Sequence, residues 1–295
     1  MRIFVTGATG FIGSAVVSEL IAAGHQVIGM TRSEAGASAL VEAGAEPWLG
    51  ALEDPAGLAG PIAKADGVLH LAFDHDFSRF ADNCQKDARF IAALGAALEG
   101  SARPLVITSG TGLGSHRDGT PATEDVFDLE HPNPRIASEL QGQELLAKGV
   151  NVSVVRLPQV HDPRKQGLIS PLVEIARAKG VSAYVGEGRN RWPAAHRLDV
   201  AKLYRLAIEA AEPGARYHAV AEEGVSGREI AEALGRGLNL PAVSLTPAEA
   251  AGHFGWMGLF VGLDMPASGA WTKARLGWRP TGPTLLEDLA LAQYA

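Results

Sequence analysis

The sequence predicts an α/β protein built on a doubly wound parallel sheet, and three observations carry that prediction. Short apolar runs of strand length alternate with longer segments of helical periodicity through residues 1–157. The strand runs are apolar almost throughout, as strands covered on both faces must be. The first of them leads through a turn with three glycines into a helix.

Residues 2–6 (RIFVT) read as the first buried strand, and a helix over about 11–23 carries Ile12, Val16, Leu20 and Ile21 on one face before Gly24 stops it. Residues 26–30 are a second strand, 34–43 an Ala-rich helix ended by Gly44, and 45–49 a third strand. Asp54 can cap a short helix. Residues 66–73 (DGVLHLAF) are the fourth strand, about 78–99 a long helix, and 103–109 (RPLVITS) the fifth strand. Residues 110–134 are rich in Gly, Pro, Asp and His and read as a long loop, which at a strand's C-terminal end is a place for function. A helix over about 135–148 and a strand over 151–157 follow. Beyond Pro158 the pattern shortens, so 1–157 is read as a dinucleotide-binding domain and 158–295 as a smaller, mainly substrate-binding part, partly interleaved with it.

Bulk properties narrow the function. The 295 residues are 46% apolar and 20% charged, with a net charge of −7 and no long basic run, which argues against a sequence-independent grip on nucleic acid. The only cysteine, Cys84, forbids an internal disulfide, reads as a small buried apolar residue, and fits a cytoplasmic location. No apolar stretch has membrane-spanning length, the N-terminus does not read as a signal peptide, and no metal site is expected.

The turn reads Thr6-Gly7-Ala8-Thr9-Gly10-Phe11-Ile12-Gly13. Gly7 permits the tight turn, Gly10 lets a diphosphate approach, and Gly13 lets the helix pack on the strand. The unbonded N–H groups at the helix start can donate to phosphate oxygens. At the end of the second strand stand Arg32 and Ser33, where a binder of NAD usually has an acid. A guanidinium there suits a 2′-phosphate, so the expected cofactor is NADP(H); the plainer reading of Arg32 is a solvated charge, and Glu34 would oppose the phosphate if it pointed inward.

These residues resemble the short-chain dehydrogenase/reductase superfamily, in its extended and atypical branches. The resemblance extends to Val68–Ala72, Val106–Ser109, Val155–Val160, His196–Ala201 and Leu276–Pro280, in that order along most of the chain. It implies a Rossmann-type fold, with Leu52, Leu71, Ala72 and Phe73 toward the adenine and ribose, and Ser109 and Pro158 toward the nicotinamide. The family pattern has Tyr-x-x-x-Lys at the start of the helix after the long loop; here that stretch is Arg135-Ile136-Ala137-Ser138-Glu139, and no Tyr-x-x-x-Lys occurs elsewhere. An Arg cannot release a proton at ordinary pH. The run from Gly180 to Pro193 also resembles the atypical subgroups that lack this pair.

Candidates for the missing chemistry are therefore Ser109 as oxyanion donor, His161 as proton donor and Arg135 as fixed cation. Each has a plain alternative: a strand-end hydroxyl, a loop histidine, and an i,i+4 ion pair with Glu139. His116 is a further, weaker candidate, Asp199 reads as a helix N-cap, and Trp192, Phe254, Trp256, Phe260 and Trp271 wall an apolar pocket or fill the core. The expected function is NADPH-dependent reduction of a small or medium apolar carbonyl, imine or activated alkene. The alternative is a non-catalytic NADP(H)-binding sensor or regulatory protein. The expected partner is a small-molecule substrate, in a monomer or homodimer.

Overall fold

Strand and helix alternate as the apolar runs require: β1 Arg2–Thr6, α1 Phe11–Ala22, β2 Gln26–Thr31, α2 Glu34–Glu42, β3 Glu46–Leu49, α3 Ala59–Ala63, β4 Gly67–His70, α4 Phe80–Leu98, β5 Leu105–Gly110, α5 Ile136–Ala147 and β6 Val152–Leu157. They are seen in a computed structural model, which describes residues 1–116, 119–292 and 294. β4 stops at His70, short of the apolar run, because the amides of Leu71 and Ala72 turn aside to donate to Thr6 Oγ1, at 3.2 Å each.

The later chain supplies β7 Gln159–His161, α6 Ile169–Lys179, β8 Ser182–Val185, β9 Arg191–His196, α7 Arg197–Ala210 and β10 Arg216–His218. It ends with β11 Glu222–Ser226, α8 Gly227–Leu238, β12 Ala242–Leu245, α9 Pro247–Phe254, α10 Gly258–Val261, α11 Ala270–Leu276 and α12 Leu285–Leu291.

The main sheet has seven strands in the order β10-β6-β5-β4-β1-β2-β3, and every neighbouring pair is parallel. Strand order reverses between β1 and β4, where such sheets open a crevice beyond the strands' C-terminal ends. One face is covered through Val16, Leu20 and Leu40 from α1 and α2, and through Val200, Leu203 and Tyr204 from α7. The other is covered by α3, α4 and α5 through Ile62, Phe90, Ile91, Leu94 and Leu145. Thus α7 and β10, which follow Pro158, complete the main sheet and one of its covering layers. The remaining late elements form a small sheet β11-β9-β7 and a pair β12-β8, with a core of Ile169, Trp192, Ile230, Leu234, Phe254 and Leu285.

Asp199 is not the cap of α7. His196 occupies that place and accepts from the amide of Leu198 at 3.3 Å. Asp199 lies a turn further in, buried, and accepts from the amides of Thr281 (3.0 Å) and Gly282 (2.6 Å), so it anchors the segment after Leu276–Pro280. Among the described residues, no helix is long and apolar enough to cross a membrane.

Candidate active site

At the switch point, β1 runs into the glycine-rich turn. Gly7 has φ +64°, and a Cβ there would stand 2.8 Å from the Ala72 nitrogen. A Cβ on Gly13 would stand 2.0 Å from the Gly7 carbonyl oxygen, so the helix can approach only because that hydrogen is all the residue carries. The first helical bond runs from Ser14 N–H to the Gly10 carbonyl, leaving the amides of Phe11, Ile12 and Gly13 without a preceding carbonyl to bond. Gly10 caps the helix with no side chain in the way, and Thr9 and Gly10 are exposed. This arrangement can take an anion.

Arg32, just past β2, is exposed and makes no hydrogen bond or ion pair with any described residue, though its charge helps to hold the Asp74 carboxyl low, after Lys86 and the Asp76 amide. Ser33 N-caps α2, accepting from the Gly36 amide at 3.1 Å, and keeps its own O–H to donate. Leu71, Ala72 and Phe73 follow β4 half-buried beside the turn, Leu52 is half-buried after β3, and Pro158 is half-buried after β6.

Along the same edge, the β5–β6 end is filled with charge. Arg135, standing at the N-cap of α5, donates to Asp87 Oδ2 (2.5 Å) and the Thr108 carbonyl (2.7 Å), bonds Ser138, and lies 4.2 Å above the Phe73 ring. Asp87 is buried and also bonds Ser138 Oγ (2.6 Å) and His70 Nε2 (2.9 Å), while His70 Nδ1 meets Thr6 Oγ1 at 2.7 Å. Burial pushes the Asp87 carboxyl up, but the Arg135 charge, His70 and Ser138 outweigh it, and the group stays well below the usual carboxylate range. The sequence alternative of an Arg135–Glu139 pair is thus corrected: α5 turns Glu139 to the far side, where it takes both Arg156 donors at 2.8 Å and Arg216 at 3.2 Å. Burial pushes the Glu139 carboxyl up, but the Arg156 bonds and charge, with the Arg216 charge, outweigh it and hold the group below the usual carboxylate range.

Ser109 is buried at the end of β5. Its hydroxyl is buried on the side of the Glu139 carboxyl and meets no partner at hydrogen-bond geometry among the described residues. His161 does not face the crevice. It is fully buried, bonded to Asp288 Oδ2 at 2.6 Å and edge-on to His196, and burial lowers its pKa against the pull of Asp288. It holds α12 against β7, and a group with no accessible surface cannot protonate a substrate. His116 is tied to Thr123 Oγ1 at 2.9 Å. Tyr204, a conceivable substitute acid, is sealed in the core against Thr108 Oγ1 (2.7 Å), with its pKa pushed up by burial.

Of the late aromatics, Trp192 and Phe254 are core, Trp271 stacks on Tyr217, and Trp256 stacks on Phe77 at 5.2 Å. A small cavity of about 30 Å³ beside Trp192 and Phe254 lies among α6, α8 and β8, away from the sheet edge, and is too small for a substrate. Cys84 is buried, and burial pushes its thiol up to about 11, so it is inert.

The description of the NAD dependent epimerase/dehydratase family matches residues 3–221. The chain belongs to that family. Membership accords with the Rossmann-type sheet and places the chain in the short-chain dehydrogenase/reductase superfamily. Among its relatives, "Uncharacterized protein C2A9.02" of Schizosaccharomyces pombe is 46% identical over 295 residues, covering 100% of both chains. The 2-alkyl-3-oxoalkanoate reductase of Stenotrophomonas maltophilia is 31% identical over 73% of this chain and 67% of its own. Among solved structures, the dTDP-glucose 4,6-dehydratase DesIV of Streptomyces venezuelae, with NAD and TYD bound, superposes with a TM-score of 0.78 over 98% of this chain and 95% of that one, at 21% identity. Likeness at that identity concerns the fold alone.

Residue reasoning missed Asp87 and Arg156. Each had a legible signal: a single charge inside an apolar stripe, at 84, 88, 91 and 94 of α4 and within VSVVRL of β6. A charge in such a place needs a buried partner.

Proposed function

We propose that this protein is an NADPH-dependent reductase of a small or medium apolar carbonyl, imine or activated alkene. The observation that carries the reading is the unpaired Arg32 beside a glycine cradle that no Cβ could share. In this reading Thr9, Gly10, Phe11, Ile12 and Gly13 hold the diphosphate, and Arg32 and Ser33 take the adenosine 2′-phosphate. Leu52, Leu71, Ala72 and Phe73 line the adenine and ribose side, with Ser109 and Pro158 at the nicotinamide side. The bound dinucleotide supplies the hydride.

Ser109 is the donor for a developing oxyanion, since its hydroxyl stands at the end of β5 with no hydrogen-bond partner among the described residues. Arg135 braces the site through Asp87 and Thr108, and has no proton to give. The similarity to a reductase of 3-oxoalkanoates supports carbonyl reduction. The test is NADPH oxidation across a panel of ketones, imines and enones, with binding measured in parallel by calorimetry. No turnover on any of them, with tight NADPH binding, would favour the second reading of a non-catalytic NADP(H) sensor. The observation behind that second reading is that Arg135 and Glu139 are both consumed by internal ion pairs.

A further inference from the structure

Between β7 and α6 the chain makes a short loop over residues 162–168. Asp162 is buried there, and its Oδ1 accepts from the amides of Arg164 (2.8 Å) and Lys165 (2.9 Å). Buried Gln166 donates to the Asp162 carbonyl at 2.9 Å, and Gln159 Oε1 accepts from the Leu168 amide at 3.0 Å. The loop is therefore stapled at four points, and the backbone of Lys165 is held in place. The Lys165 side chain is exposed and forms no ion pair with a described residue. Its Nζ lies 5.7 Å from the ring centre of Phe11, the first residue of α1.

Arg197 occupies the same ring at 5.1 Å, donates to the Phe11 carbonyl at 3.2 Å, and has Asp162 Oδ2 at 3.4 Å from its Nε. So Asp162 offsets the charge of Arg197, and nothing among the described residues offsets Lys165. Two cations thus stand about one ring, and an anion placed beside it would be attracted by both. The place beside that ring is the start of α1, where three amides stand free.

We infer that Lys165 is a ligand for the dinucleotide's diphosphate, supplied by the late half of the chain, with Asp162 and Arg197 as the residues that position it. The inference rests on the dinucleotide reading above and adds a residue outside the glycine-rich turn.

Calorimetry on the full chain tests this with four probes: NADPH, NADH, ADP-ribose, and 2′-AMP, which carries the 2′-phosphate but no diphosphate. Lys165→Gln is expected to weaken NADPH, NADH and ADP-ribose about tenfold, about one charge-assisted contact, and to leave 2′-AMP unchanged. Lys165→Arg should recover most of the loss, and Arg164→Gln, on the same loop, should bind as the wild type does. Thermal unfolding should be unchanged in all three, since both side chains are exposed. A wild type that binds ADP-ribose no better than Lys165→Gln overturns the inference alone. So does an equal loss on 2′-AMP, which would mark a general effect on the site. A wild type that binds none of the four probes overturns the dinucleotide reading, and this inference with it.

Discussion

At the β1–β2 end of the sheet edge, three backbone amides are unbonded and the exposed Arg32 forms no hydrogen bond or ion pair with a described residue. At the β5–β6 end of the same edge, Arg135, Asp87, Glu139, Arg156 and Arg216 satisfy one another inside the protein. The first end is shaped to receive charge and the second to cancel it. The contrast teaches that family geometry at a cofactor turn can persist while the neighbouring acid–base position becomes an ionic staple. At the turn the donors are backbone groups, which survive any side-chain change that spares Gly7, Gly10 and Gly13. At α5 the family pattern puts the chemistry on two side chains, and in this chain Arg135 and Glu139 stand there in ion pairs instead.

The most severe way to break this contrast is to put the family pair back. Arg135→Tyr with Glu139→Lys would place a third cation between Arg156 and Arg216 and leave Asp87 without its strongest partner. Removing one member of a buried pair costs about 3–5 kcal/mol, and two are disrupted here. The expected outcome is a chain that fails to accumulate folded, read by yield and thermal unfolding. A stable variant with new reductase activity would show that the staple is dispensable.

Next in size is Gly13→Ala, whose Cβ would stand 2.0 Å from the Gly7 carbonyl. The turn must shift, which costs about 1–3 kcal/mol as overpacking does. Dinucleotide binding should fall below detection in calorimetry while the β5–β6 network stays intact. Equal binding by this variant would sink the role of the turn.

A smaller effect separates the two ends by pH. His218 donates Nδ1–H to the Ser268 carbonyl (2.9 Å) and accepts from Arg156 at Nε2 (3.3 Å), a pattern that only the neutral ring satisfies. Burial, with the Arg156 charge, lowers its pKa to about 4, against the pull of Glu124. The unfolded chain binds the proton first, at about pH 6.5. Stability from this group is therefore complete above about pH 6.5 and is lost as pH falls toward 4. His161, also lowered by burial, adds in the same direction. Urea unfolding in steps from pH 7 to pH 5 should show the decline, and His218→Gln, which can keep both hydrogen bonds, should flatten it. An unchanged slope would mean that His218 takes up its proton at the same pH in the folded and unfolded chain, and that burial does not hold the ring neutral.

Smallest is Arg32→Gln, an exposed change expected to weaken NADPH by about tenfold and to leave NADH and Tm alone. An equal change for both dinucleotides would remove the argument for the phosphorylated cofactor.

The strand and helix alternation, the parallel sheet and the glycine cradle were legible in the sequence, because each follows from local pattern: apolar runs, helix stops and glycines at fixed spacing. The exposure of Arg32 was legible too, since a charge at a strand end has little to bury against. The partner of Arg135 was not. Spacing along α5 offered Glu139, four residues on, but helix geometry says nothing of a carboxylate brought up from α4, 48 residues earlier in the chain.

By itself, then, the sequence determined the order of the layers and the absence of a Tyr-x-x-x-Lys acid, which depend on residues near one another in the chain. Tertiary structure alone decided which charges cancel, that His161 is sealed beneath α12, that α7 and β10 return to the first half, and that Lys165 stands over Phe11. The physical reason is range: periodicity and turn chemistry act over a few residues, whereas ion pairing and burial depend on distances in space between segments far apart in the chain.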